Sequence, residues 1–176
     1  SNNRRYIEKN VESLTNLELI QEAVSNENGV AQFHEEALTG QNNSLIGDYS
    51  VFEKNRNDSF SEENYSVREV KTVTLDSFSL DRDLHPSLLK IDVEGAEWLA
   101  LQGCRELLRR DKPAMMVEVT NEKEQVVELL HELGYELYND YGNRLKSAAD
   151  VRCNVIAICP DKHVKVKEKL EWNQDA

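Results

Sequence analysis

Three acidic side chains stand where two apolar runs end, and this is where the chain can do chemistry. Leu88 to Val93 closes in Ile91-Asp92-Val93-Glu94-Gly95, and Ala114 to Val119 closes in Val117-Glu118-Val119-Thr120. If the two runs are parallel strands, Asp92, Glu94 and Glu118 share the carboxyl edge, where open parallel sheets bind ligands. A carboxylate there can orient a substrate hydroxyl, accept its proton or bind a cation. A structural role is open for Asp92 and Glu94 as well, because an acid ahead of a helix is stabilised by the amide dipoles whether or not it reacts. The seven glycines are too widely spread for a Gly-x-Gly or Walker loop. His34, His85, His131 and His163 show no Glu-x-x-His pairing, and Cys104, Cys153 and Cys159 lack paired ligand spacing, so no metal site is expected. Each cysteine lies in an apolar stretch that suits a small buried side chain.

The elements that must hold these acids follow from apolar periodicity. Asn3 to about Ser13 carries Tyr6, Ile7 and Val11 at helical spacing and reads as an amphipathic helix. Leu17 to Val24 and Val30 to Glu35 alternate apolar and polar residues, which predicts strand, turn, strand. Residues 39–66 form a long polar stretch, expected to be a loop that shapes the substrate site. Val67 to Leu75 predicts a strand leading into a polar turn at Asp81 to Pro86. The runs at Leu88 and Ala114, each with a proline just ahead, read as strands buried on both faces. Between them Ala96, Leu99, Ala100, Cys104, Leu107 and Leu108 form the stripe of one helix, giving a βαβ unit with a right-handed crossover. Asn121 is placed to cap a second helix, with Glu124 at the capping-box position, Val126, Val127, Leu130 and Leu133 as its buried stripe and Gly134 as its end. Tyr135 to Tyr138 and Asn154 to Cys159 predict a terminal strand pair around a turn at Asn139 to Asn143. Residues 1–160 thus read as a single α/β domain and 161–176 as a basic tail.

Composition narrows the function classes. The 176 residues, 39% hydrophobic and 31% charged, suffice for about one globular domain. Twenty-one basic and 33 acidic residues leave a net charge of −12, a field that repels nucleic acid and anionic membrane surfaces. Apolar runs fall far short of the roughly twenty residues that span a bilayer, and Ser1 to Tyr6 lack a signal peptide's apolar core. Three cysteines, an odd number, fit a reducing cytoplasm.

Within these bounds the residues around Asp92 become specific. Leu89-Lys90-Ile91-Asp92-Val93-Glu94-Gly95-Ala96-Glu97, then Leu101-Gln102-Gly103 and Pro113 to Glu118, resemble the signature block of the FkbM family of S-adenosylmethionine-dependent methyltransferases. Glu22-Ala23-Val24-Ser25 with Gly29, Ser44-Leu45, Thr74-Leu75-Asp76-Ser77-Phe78 and Gly134-Tyr135 are similar to that family in order and spacing, so the resemblance runs from the first helix to about Pro160. It implies a Rossmann-like class I methyltransferase sheet, mostly parallel with an antiparallel terminal hairpin. It also implies transfer of a methyl group from S-adenosylmethionine to a hydroxyl of a small molecule, a sugar or secondary metabolite. By the same resemblance Glu22 and Ala23 approach the adenine, and Asp92 and Val93 lie beside the methyl donor. Asp92 would hydrogen-bond the attacking hydroxyl, Glu94 would share that role or hold the loop through backbone amides, and Glu118 completes the acidic set. Positioning the oxygen in line with the leaving sulfur is the larger contribution to such a displacement.

The chain also departs from the family. Members open with a strand ending in an Asp-x-Gly-Ala-Asn-x-Gly type loop for the methionine, then a strand ending in an acid for the ribose, and neither pattern occurs here. The sheet is therefore expected to lack its first two strands. Three consequences are expected: the Leu17 strand pairs directly with the Leu88 strand, a second copy fills the gap to make a homo-oligomer through exposed strand edges, or the chain is a piece of a longer protein. All three weaken cofactor binding by these residues alone. Two further classes stand beside the enzyme: a non-catalytic methyltransferase-like interaction module, and a metal-dependent hydrolase using Asp92, Glu94 and Glu118. His131, Trp98 and Trp172 read as packing or surface residues, and Tyr138 and Tyr141 as packing or the edge of a substrate pocket.

Overall fold

The computed structural model describes residues 2–36, 43–47 and 65–172. The expected loop at 39–66 lies mostly outside them. The chain divides into two units, residues 1–23 with 28–72 and residues 24–27 with 73–176.

In the first unit α1 (Asn2–Val11) precedes an antiparallel pair, β2 (Gly29–Glu36) and β3 (Tyr65–Val73), in register from Gly29↔Thr72 to Glu36↔Tyr65. The sheet has the order β1-β3-β2, and β1 is only Ala23–Val24. The strand expected from Leu17 is thus corrected: residues 17–22 are irregular, and Leu17 and Leu19 are exposed. Alternation stabilises a strand only where one face is covered and a ladder partner is present, and here the partner reaches only the last two residues. Nor does this segment pair with the Leu88 strand, which belongs to another sheet.

That second sheet comprises β4 (Leu88–Ile91), β5 (Ala114–Glu118), β6 (Glu136–Tyr138) and β7 (Asn154–Ile158), in the order β4-β5-β7-β6. β4 and β5 are parallel, and β7 is antiparallel to both β5 and β6. Three strands therefore run one way and β7 opposes them, so the fold is mixed α/β with two sheets. β4 is an edge strand rather than one buried on both faces, and Leu88 is 67% exposed. β5 alternates, with Met115 and Val117 buried. Leu101, Leu108, Val126, Leu130 and Leu137 complete the same core.

The helices depart from expectation at three points, one of them through a contact distant in sequence. Leu75 does not end a strand but opens α2 (Leu75–Asp81), capped by the Thr74 side chain, which accepts from Ser77 N at 3.1 Å. The single helix expected between β4 and β5 is two, α3 (Glu97–Gln102) and α4 (Arg105–Asp111). Asp76 makes the break: its carboxylate accepts from Glu106 N and Leu107 N at 3.2 and 2.8 Å, and its own amide donates to Gly103 O at 2.9 Å. α5 (Lys123–Glu132) starts after Glu122, whose left-handed backbone (φ 45°) supplies the cap without a side-chain bond. Asn121 and Glu124 therefore form no capping box, although Val126, Val127, Leu130 and Leu133 are buried and Gly134 follows at φ 82°. The basic stretch after Pro160 contributes to α6 (Val164–Trp172). No helix among the described residues is long and apolar enough to cross a membrane.

Behind β4, His85 and Arg110 close on Asp111. His85 Nδ1 lies 2.8 Å from Asp111 Oδ1, and Arg110 Nε donates to both carboxylate oxygens. The Arg110 bond, aided by His85, holds the Asp111 carboxyl down at about 2, while the bond to Asp111 raises His85. A depressed acid stabilises the fold above its unfolded value and loses that contribution as pH falls toward 2. A raised histidine stabilises it below its unfolded value and loses that contribution as pH climbs through the raised value. Both act together between about pH 4 and 6.5. Melting curves of wild type and His85→Ala are expected to differ most near pH 5 and to converge by pH 9; a gap that widens above pH 7 contradicts this assignment.

Candidate active site

Register brings two of the three expected acids together. Ile91 pairs with Val117 in the parallel β4–β5 ladder, so the next residues, Asp92 and Glu118, leave neighbouring strands side by side at the carboxyl edge. The Asp92 side chain is 35% exposed and is ion-paired with Lys90, an interaction that raises the lysine. Glu118 Oε1 accepts from the Cys153 thiol at 3.4 Å, and Val119 N donates to Cys153 O at 2.8 Å. Cys153 is thus half-buried at this edge and not in the apolar setting expected of it, because the reversed β7 begins where β5 ends. Burial first, then the bond to Glu118 and the charges of Asp140 and Asp92, push the thiol up.

Glu94 lies in the turn from β4 into α3. It is left-handed at φ 47° and Gly95 follows at φ 89°, so two successive unusual residues reverse the chain there. A non-glycine residue in this region costs about 1–2 kcal/mol, and such strain gathers at functional sites. Val93 is half-buried beside it. Glu22 and Ala23, expected near the adenine, belong to the first unit, where Glu22 is exposed and Ala23 half-buried in β1.

A fourth acid escaped the sequence. Glu97 is 1% exposed, accepting from Gly95 N at 2.9 Å through Oε1 and from Thr120 Oγ1 at 3.1 Å through Oε2. One carboxylate therefore ties the loop after β4 to the loop after β5 and sets the spacing of Asp92 and Glu118. As an acid in the first turn of a helix it looks like a dipole partner, and nothing local announces that it turns inward. Glu97→Ala leaves a buried amide and a hydroxyl without this acceptor and is expected to cost about 1–3 kcal/mol, measured by urea denaturation. An unchanged midpoint would show that water replaces the carboxylate.

Beside Glu118 lies a cavity of about 630 Å³, walled by the connection between β6 and β7. Asn139, Tyr141, Arg144, Lys146 and Arg152 line it, and Cys153 joins it to the Glu118 edge. Asn139 Oδ1 accepts from Tyr141 N and Asn143 N at 3.0 and 2.9 Å, which shapes the turn expected here. Tyr141 is 78% exposed, whereas Tyr138 is buried and donates to Glu136. His131 is exposed on α5 and Trp98 packs half-buried against the core; the Trp172 side chain lies outside the described residues. Among the described residues no group of three or more His, Cys, Asp or Glu is placed to hold a metal ion.

The chain compares with known proteins as follows. No curated protein matches it. Among solved structures it is similar to the methyltransferase FkbM from Methylobacillus flagellatus KT, with 15% sequence identity and a TM-score of 0.45, over 88% of this chain and 31% of that one. The chain thus spans about a third of the length of that relative. The model of the methyltransferase FkbM domain matches residues 2–145, a stretch that contains α1, both strand-end acids, the buried Glu97 and half of the cavity wall. By that match the chain belongs to the methyltransferase FkbM domain family.

Proposed function

We propose that this chain acts in S-adenosylmethionine-dependent O-methylation of a polyhydroxylated small molecule, a saccharide or secondary metabolite, with the acceptor seated in the cavity beside Glu118. The observation that carries this is the adjacency of Asp92 and Glu118 on parallel strand ends, together with the contact of Glu118 with Cys153, which lines the cavity. The order β4-β5-β7-β6 with β7 reversed supports reading the second unit as the carboxyl-terminal part of a Rossmann-like class I methyltransferase sheet. Three free cysteines support a reducing cytoplasm as its setting.

The donor carries sulfonium and ammonium charges, and a carboxyl edge that carries Asp92 and Glu118 side by side suits a cation. Asp92 and Val93 would hold it there. When bound, it supplies an electrophilic methyl. Asp92 accepts a hydrogen bond from the acceptor hydroxyl at a carboxylate oxygen, orients it and takes its proton as the new bond to carbon forms. Glu118 fixes the acceptor from the neighbouring strand, and Glu97 keeps the two loops at their separation. Glu94 holds the turn after β4.

The test supplies donor labelled in its methyl group, with calorimetry of donor binding in parallel. Heat on titration and label recovered in a sugar are the expected results. A silent titration with no transferred label overturns the proposal and leaves an interaction module.

A further inference from the structure

We infer that the cavity between β6 and β7 selects an acceptor bearing an anionic group, a carboxylate or a phosphate, and reads it through Arg152 and Lys146. This rests on the assignment of that cavity to the acceptor. Its walls carry three cations and two acids, and their bonding separates them. Asp150 is occupied by Lys146 N, Ser147 N and Ser147 Oγ, and Asp140 accepts from Asn154 Nδ2. Arg144 is ion-paired with Glu136 at 3.0 Å. Lys146 and Arg152 are exposed, and among the described residues neither side chain makes a hydrogen bond or ion pair. The acids of the wall keep their charge but spend acceptor atoms within the protein, whereas the N–H donors of Lys146 and Arg152 are left for a ligand.

Their surroundings make the preference local. In a chain of net charge −12 the summed field repels anions, so an anionic ligand is held there only by close, charge-assisted hydrogen bonds. Arg152 adjoins Cys153, whose thiol contacts Glu118. Arg152 and Cys153 line the same cavity, so an anion held by Arg152 leaves the rest of the acceptor within that cavity, whose Cys153 wall leads to Glu118. Tyr141 offers an exposed ring on the cavity wall against which a sugar face can lie. The two ends of the acceptor are thereby distinguished: the charged end is drawn to Arg152 and Lys146, and a hydroxyl is left for Asp92 and Glu118.

Binding of glucose, glucuronate and glucose 1-phosphate, measured by calorimetry without methyl donor, tests this, with inorganic phosphate as a further probe. The acidic sugars are expected to bind about tenfold more tightly than glucose, the effect of one charge-assisted hydrogen bond. Glucuronate ahead of glucose 1-phosphate identifies the carboxylate as the recognised group, the reverse order identifies the phosphate, and inorganic phosphate binding as tightly as the sugars means that the saccharide is not read and overturns the inference. The double substitution Arg152→Gln with Lys146→Gln is expected to erase the preference, while Arg109→Gln on α4 leaves it intact. Glucose binding as well as the acids, no sugar binding at all, or a preference that survives the double substitution would refute the inference. Because no donor is present, absence of methyl transfer would overturn the function proposed above without altering these results.

Discussion

Gly103→Ala is expected to destabilise the protein by about 3 kcal/mol or more. A β-carbon built on Gly103 would lie 2.1 Å from Ser25 O and 3.2 Å from Asn26 Cα, so backbone, not a flexible side-chain end, stands in its way. Neither partner yields readily. Ser25 is buried and its amide donates to Val73 O at 3.0 Å, while Gly103 O accepts from Asp76 N at 2.9 Å in the junction that separates α3 from α4. Alanine would gain about 0.4–1 kcal/mol through the unfolded chain, well below the cost of moving two pinned segments. Gly134 provides the contrast: at φ 82° with nothing within 4 Å, alanine there pays only for its backbone conformation, about 1–2 kcal/mol. Denaturant midpoints of the two variants decide the matter, and a Gly103→Ala loss no larger than that of Gly134→Ala would mean the 24–27 segment is not held against this helix break.

On the function proposed above, Asp92→Asn is expected to lower methyl transfer by about 10²–10⁴-fold while leaving the fold intact. The amide keeps the size of the carboxylate but cannot take the hydroxyl proton, and it halves the acceptor capacity at the strand end. Little stability is at stake, since the side chain is partly exposed and its ion pair with Lys90 is a surface interaction worth about 0–1 kcal/mol. The decisive comparison is turnover against melting temperature: lost turnover with an unshifted melt supports the assigned role, and activity within threefold of wild type removes Asp92 from the chemistry. Glu118→Gln is the companion measurement, expected to weaken acceptor binding more than the maximal rate.

The placement of Asp92 and Glu118 at one sheet edge was readable before any fold was known. Two short apolar runs flanking an apolar stripe predict parallel strands, and a parallel pair with a common start must bring the residues after Ile91 and Val117 to one edge. That inference needs only chain direction and residue period. The residues around Asp92 also carry the family resemblance by themselves, as do the apolar stripe of α5 and the glycine that follows it.

What the sequence could not reveal depends on partners far along the chain. Alternation from Leu17 to Val24 is equally present in a strand and in an uncovered segment, and the ladder partner alone decides between them. The apolar stripe from Ala96 to Leu108 runs unbroken through a helix that Asp76 divides from 31 residues away. Glu97 meets Thr120 across 23 residues, and Cys153 meets Glu118 across 35. Local pattern therefore determined the direction of the strands, the acids at their ends and the family. Tertiary structure alone decided which acids meet, which one is buried to space them and where a cavity opens beside them, because each of these is a contact energy between segments that no periodicity records.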